Sequence, residues 1–177
     1  MKIAFIIIVI LAALILLFYG YYGGFKKIIV KIDKQGGETA VYEEIKGAYN
    51  QSGVVMDKIY YSLLEKEDIE TFKGFGKYFD NPKKVQKENL RSQAGSIIEK
   101  KDLDKIGRIS ETYKIMVLPQ KQYLVTEYPY KNKLSVLFSL LRVYPALNKF
   151  AKEKGYNEDT PVIEIYDIPK KKIIYRK

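Results

Sequence analysis

The chain has 177 residues and a net charge of +10, with no cysteine and no histidine. Those absences exclude a disulfide framework, a thiol nucleophile, a serine–histidine triad and histidine-ligated zinc or haem. The lysine excess favours an anionic surface. A lipid leaflet suits that charge better than nucleic acid, because no helix-turn-helix, zinc spacing or RNA-binding aromatic motif is present, and a solvated basic surface with no specific partner is the third reading.

Residues 3–19 are an unbroken apolar run, preceded only by Lys2 and extended by Gly20, Tyr21 and Tyr22. About 20 helical residues reach roughly 30 Å, one hydrocarbon thickness, so the run predicts a single transmembrane helix. A signal peptide has a shorter apolar core of about 7–15 residues that ends at small residues. This run ends in aromatic residues instead. Tyr19, Tyr21 and Tyr22 read as an interfacial belt, and Lys26 and Lys27 follow it at the headgroups. Lysines after the span outnumber those before it, which places the following domain in the cytoplasm by the positive-inside rule. The reading divides the chain into an anchor and joint, residues 1–24, and one domain, residues 25–177. Gly23-Gly24 reads as a sterically free joint.

Residues 28–33 and 38–46 alternate as strands around Gln35-Gly36-Gly37, which suggests a hairpin. Asn50-Gln51-Ser52 offers N-cap chemistry to a helix reaching residue 65, with Val55, Ile59 and Leu63 on its apolar face. Residues 72–79, F-K-G-F-G-K-Y-F, read as a strand whose glycines mark a bend or a close approach. Asp80-Asn81-Pro82 is a turn opening a lysine-rich loop with Lys83, Lys84 and Lys87. Residues 90–99, 113–118 and 122–128 read as further strands. A long helix follows over 132–154, with a kink or break expected at Pro145 and a stop at Gly155. Residues 162–166 and 172–175 are the last strands.

This order of elements repeats, giving an α+β fold of two βαββ modules. They are expected to form one antiparallel curved sheet with both main helices on one face. The lysine- and isoleucine-rich composition suggests a prokaryotic source with an AT-rich genome. No phosphate loop or dinucleotide fingerprint occurs, so no cofactor and no metal is expected.

Gly47-Ala48-Tyr49 before the first helix and Pro161, Glu164 and Tyr166 near the end resemble the GyrI-like, or bacterial effector-binding, domain family. Three further stretches resemble its membrane-anchored branch, which includes a testis-expressed endoplasmic-reticulum autophagy receptor. They are Y-F-D-N-P-K-K-V from Tyr78, A-G-S-I from Ala94, and the segment from Thr126 to Leu147. The resemblance covers roughly residues 28–177. The receptor role is not carried over, since no disordered tail with its recognition motif follows the last strand. Tyr128-Pro129-Tyr130 also replaces a second Gly-x-Tyr turn.

The resemblance implies a groove between the halves, with Glu164 on its concave face. A carboxylate among aromatic rings suits a lipophilic cation through charge and cation–π contact. Tyr166 shares the motif. Tyr42, Glu44, Tyr78, Tyr113 and Tyr128 are further candidates because each lies on or at a strand. The primary expectation is a membrane-anchored domain binding a small amphipathic or cationic ligand. Two alternatives stand beside it: a tethered adaptor with an unidentified protein partner, and a hydrolase of strained small molecules, as some GyrI-like proteins are. No catalytic residue is assigned, and nucleic acid is not an expected partner.

Overall fold

Residues 2–177 are described in a computed structural model. The apolar run forms one helix, α1 (Lys2–Tyr21), with no buried residue. It is long and apolar enough to cross a membrane. The β-branched and aromatic stretches after it form β1 (Lys31–Gln35), β2 (Thr39–Lys46), β3 (Lys73–Tyr78) and β4 (Arg91–Ile98). Helix α2 (Gln51–Glu67) links β2 to β3, and a short α3 (Ile106–Ile109) follows β4. The second half repeats the order: β5 (Lys114–Val117), β6 (Lys121–Pro129), α4 (Lys133–Glu153), β7 (Val162–Asp167) and β8 (Lys172–Arg176).

All eight strands form one antiparallel sheet in the order β1-β6-β8-β7-β3-β4-β2-β5. That order reads the same from either end once the halves are exchanged. Each half contributes three inner strands, and β3 pairs with β7 at the centre. The first strand of each half crosses to the other half's sheet: β1 pairs with β6, and β5 pairs with β2. The expected β1–β2 hairpin is therefore not formed. Gly36 and Gly37 have φ of +115° and +88°, and they send the chain across to meet the opposite connection. There the Gly37 amide donates to the Leu118 carbonyl at 2.7 Å, and the Leu118 amide donates to that of Glu38 at 2.8 Å. Arg176, nearly fully buried, donates two hydrogen bonds to the Glu38 carboxylate at 2.6 and 2.9 Å beside this crossing.

Directly paired residues share a face of a sheet, so the ladder gives rows across it. One row on the helix side runs Tyr128, Ile173, Tyr166, Gly74, Ser96, Val41, Ile115. Its two ends are bulky and lie under the helices. Val41 packs with Ile59 and Leu63 of α2, and Tyr128 and Ile173 pack with Val143 and Leu147 of α4. Its middle, Gly74 and Ser96, is small. The opposite face has its own core of Ala40, Phe75, Ile97, Val125 and Ile163, with Tyr42 packed against it, enclosed by the curvature of the sheet.

Helix α4 starts with a capping box. The Asn132 side chain accepts from the Leu134 amide, and the Ser135 hydroxyl accepts from the Asn132 amide. Asn50, at the start of α2, makes no such side-chain bond. The expected break at Pro145 does not occur, and α4 runs unbroken through it. Pro145 and Leu141, whose carbonyl loses its amide partner, are both exposed, so the gap in the helix ladder falls on the side of α4 away from the core.

The Gly23-Gly24 joint is not free either. Arg142 of α4 donates to both the Gly23 and Gly24 carbonyls. The buried Tyr22 stacks on Phe138 of α4 with ring centroids 5.4 Å apart, and its hydroxyl accepts from Asn132 at 2.9 Å. The end of α1 is thus held against the first half of α4.

Gly95 of β4 faces β2, and a Cβ there would strike the Val41 carbonyl and the Tyr42 Cα. Gly95→Ala should lower unfolding stability by about 3 kcal/mol. Gly53, exposed in α2 with open space around it, should give the reverse. Gly53→Ala should stabilise by about 0.5–1 kcal/mol, read from thermal melts of both variants in the same detergent.

Candidate functional site

Helix α2 rests mainly on β4 and β2 and helix α4 on β6, which leaves the sheet between them open over β3 and β7. Between them lies a cleft of about 1730 Å³ over β3 and β7. Its side walls include Met56 and Tyr60 from α2 and Leu137, Leu140 and Tyr144 from α4. The small residues of the strand centres set its depth. Gly74 leaves room for Met56 and Tyr166, and the Tyr78 hydroxyl lies only 2.7 Å from where a Cβ on Gly76 would be. The close approach expected at these glycines is made by aromatic side chains of the fold itself.

Glu164 stands on β7 directly opposite Gly76 on one side and Tyr175 on the other. It is 1% exposed. The Tyr144 hydroxyl donates to its Oε1 at 2.8 Å, and the Tyr166 hydroxyl donates to its Oε2 at 2.5 Å. No lysine or arginine forms a salt bridge with it among the described residues. Burial raises the Glu164 carboxyl above the usual carboxylate range, and the two tyrosine hydrogen bonds only partly oppose this. Burial also raises Tyr144, Tyr166, Tyr78 and Tyr175, with the negative charge of Glu164 as the next cause in each. The tyrosines therefore stay protonated as donors. Tyr175 shares a 2.5 Å hydrogen bond with Ser139 of α4, which fixes its ring beneath the cleft.

Of the candidate ligand residues, the cleft brings together Glu164, Tyr166 and Tyr78. Tyr42 and Glu44 lie on the opposite face of the sheet, where Glu44 forms an exposed ion pair with Lys114 at 2.8 Å. Tyr113 packs in the α2 cluster with Val41 and Ile59. Tyr128 is fully buried and donates to the Tyr22 carbonyl at 2.8 Å, so it holds the end of α1 rather than lining the cleft. Lys83, Lys84 and Lys87 stand at the rim, with Lys84 paired to Asp159 at 2.9 Å. Tyr144 was not among the candidates. Its signal was helical spacing, since Leu137, Leu140 and Tyr144 fall on one stripe.

The interfacial candidates also divide. Tyr21 is exposed with Lys131 over its ring, Tyr19 contacts Phe25 and Phe138, and Lys26 and Lys27 are exposed. Tyr22 is taken up by the joint described above. Among the described residues no acidic group forms a metal cluster.

No family model matches the chain. The human protein Testis-expressed protein 264 is 25% identical over 157 residues, which is 82% of this chain and 48% of that protein's length. The chain thus spans about half of that relative. Among solved structures, the C-terminal domain of EcmrR aligns with a TM-score of 0.56 at 7% identity, covering 84% of this chain and 95% of that one. SAV2435, solved bound to tetraphenylphosphonium, aligns with a TM-score of 0.52 at 11% identity, covering 84% and 92%. These likenesses are of fold, and they fit the GyrI-like effector-binding architecture expected from the sequence motifs.

Proposed function

We propose that residues 25–177 are a GyrI-like effector-binding domain held at a membrane by α1, and that its cleft binds a small lipophilic cation. The observation that carries this reading is Glu164: a buried carboxylate with two tyrosine donors, no paired cation among the described residues, and an apolar cleft above it. A buried anion without a positive partner is costly. A large organic cation with diffuse charge is weakly hydrated, so it enters such a cleft with little desolvation penalty. It then gains charge pairing with Glu164 and contact with the faces of the surrounding rings. That SAV2435, of similar fold, was solved with tetraphenylphosphonium supports the ligand class. The lysines after α1 support a cytoplasmic domain.

Equilibrium dialysis of tetraphenylphosphonium against the full chain in lipid nanodiscs tests the reading. Saturable binding is expected, and Glu164→Gln should weaken it at least about tenfold, equivalent to about 1.4 kcal/mol. Absence of saturable binding, or equal affinity in the variant, would contradict it.

The cation prefers the ionised carboxylate, and Glu164 holds its proton above the ordinary carboxylate range. Affinity should therefore rise with pH through the raised Glu164 pKa, and this dependence should vanish in Glu164→Gln. Stability runs the other way. A carboxyl with a raised folded pKa contributes stability that is fully present below its unfolded pKa and lost as pH rises through the folded one. Ligand-free wild type should therefore lose stability relative to Glu164→Gln as pH rises through that interval. Paired thermal melts across pH check the sign, and a constant difference would exclude a raised pKa.

A further inference from the structure

Helix α4 does two things at once: its inner side walls the cleft, and its first half grips the end of α1. Phe138 contacts Phe18 and Tyr19 with ring centroids about 6 Å apart, 6.0 and 5.9 Å, and stacks on Tyr22. Phe18 and Tyr19 belong to the apolar run itself. Phe138 therefore sits at the level of the last turn of α1. At about 1.5 Å per residue, Leu141 lies within roughly 5 Å of Phe138 along the helix axis.

The outward side of α4 at this level is not polar. Leu134, Leu137 and Leu141 fall beside Phe138 on the helical wheel, and Leu137 and Leu141 are 54% and 68% exposed. Surface helices normally turn charged or polar residues outward at such positions. An exposed apolar patch marks a contact with a protein or a membrane, and its junction with the end of α1 favours the membrane. Exposed Lys131 and Lys133 stand at the N-terminal end of the strip, where headgroup phosphates would meet them. Leu137 and Leu141 also line the cleft, so the strip runs from the end of α1 to the cleft mouth without a polar break.

We propose that the leucine face of α4 beds into the interface of the bilayer that α1 crosses, so that the cleft opens onto lipid and lipophilic ligands reach Glu164 from the membrane. This rests on the reading of α1 as a membrane span. The rigid joint makes the arrangement fixed: Arg142 on the Gly23 and Gly24 carbonyls and the Tyr22–Phe138 stack set the angle of α4 against α1.

The chain has no cysteine, so single labelling sites are simple to install. An environment-sensitive fluorophore is placed on the full chain by Leu11→Cys, Leu137→Cys, Leu141→Cys or Lys114→Cys, all at exposed positions. Each variant is reconstituted in nanodiscs with or without lipids brominated high on the acyl chain, and iodide serves as the aqueous quencher. The expected result is loss of emission with bromolipid at Leu137 and Leu141, and quenching by iodide alone at Lys114. Quenching by bromolipid at Leu11 with none at Leu137 and Leu141 overturns the inference and leaves the anchor standing. No lipid quenching at Leu11 overturns the anchor and the inference with it. Shielding of Leu137 and Leu141 from both quenchers means that a protein or a second copy covers the strip, and also overturns the proposal.

Discussion

β3 and β7 are the innermost strands of the two halves, and the ladder between them is the constraint from which the cleft follows. Lys73 to Tyr78 pair with Asp167 to Val162 in unbroken register. On the helix side this seam carries Gly74 and Gly76 against Tyr166 and Glu164, with Ser96 and Ala94 beyond. Helices need bulky side chains beneath them to bury apolar area. Val41 provides that beneath α2, and Leu124 and Ile173 beneath α4, while Gly74, Gly76, Ala94 and Ser96 leave the ground between them low. The two helices therefore settle apart, and the gap between them is a property of the sheet rather than of the helices.

Into that gap the fold places one carboxylate. The energetic position of Glu164 is unstable by design of its surroundings: burial favours its neutral form, while two tyrosine hydroxyls favour its ionised form. The same negative charge raises the tyrosines around it and so keeps them protonated as donors. A cation entering the cleft would shift that balance toward the carboxylate. The exchange of β1 and β5 between halves bears on the same point. It ties the outer strands together, with Arg176 and Glu38 beside the crossing, so the floor beneath Glu164 is braced from both edges.

Much of the architecture is legible in the residues. The apolar run, the alternating strands, the long amphipathic helix and the repeated order of elements each follow from local periodicity. Glu164 and Tyr166 belong to a motif, and the glycines of β3 announce a close approach. Other features depend on distant partners and leave no local trace. The crossing of β1 to β6 is one, because alternation fixes which side chains share a face but not which strand lies alongside. The face of β2 is another. Ala40, Val41 and Tyr42 all meet a core, so hydrophobicity does not say that Tyr42 and Glu44 point away from the helices. Tyr22 has the composition of a headgroup residue, yet Phe138 and Asn132, more than a hundred residues away in the chain, claim it. Pro145 is tolerated because it and Leu141, four residues before it, stand on the exposed side of α4.

The central claim is that Glu164 is a buried carboxyl waiting for a positive charge. The most direct measurement is the pH titration of its side-chain carboxyl ¹³C resonance, assigned by its loss in Glu164→Gln, in the full chain with and without tetraphenylphosphonium. A midpoint above the ordinary carboxylate range is expected in the ligand-free protein, with a fall in that midpoint when the cation is present. A midpoint in the ordinary range, or one that the cation leaves unmoved, would contradict it.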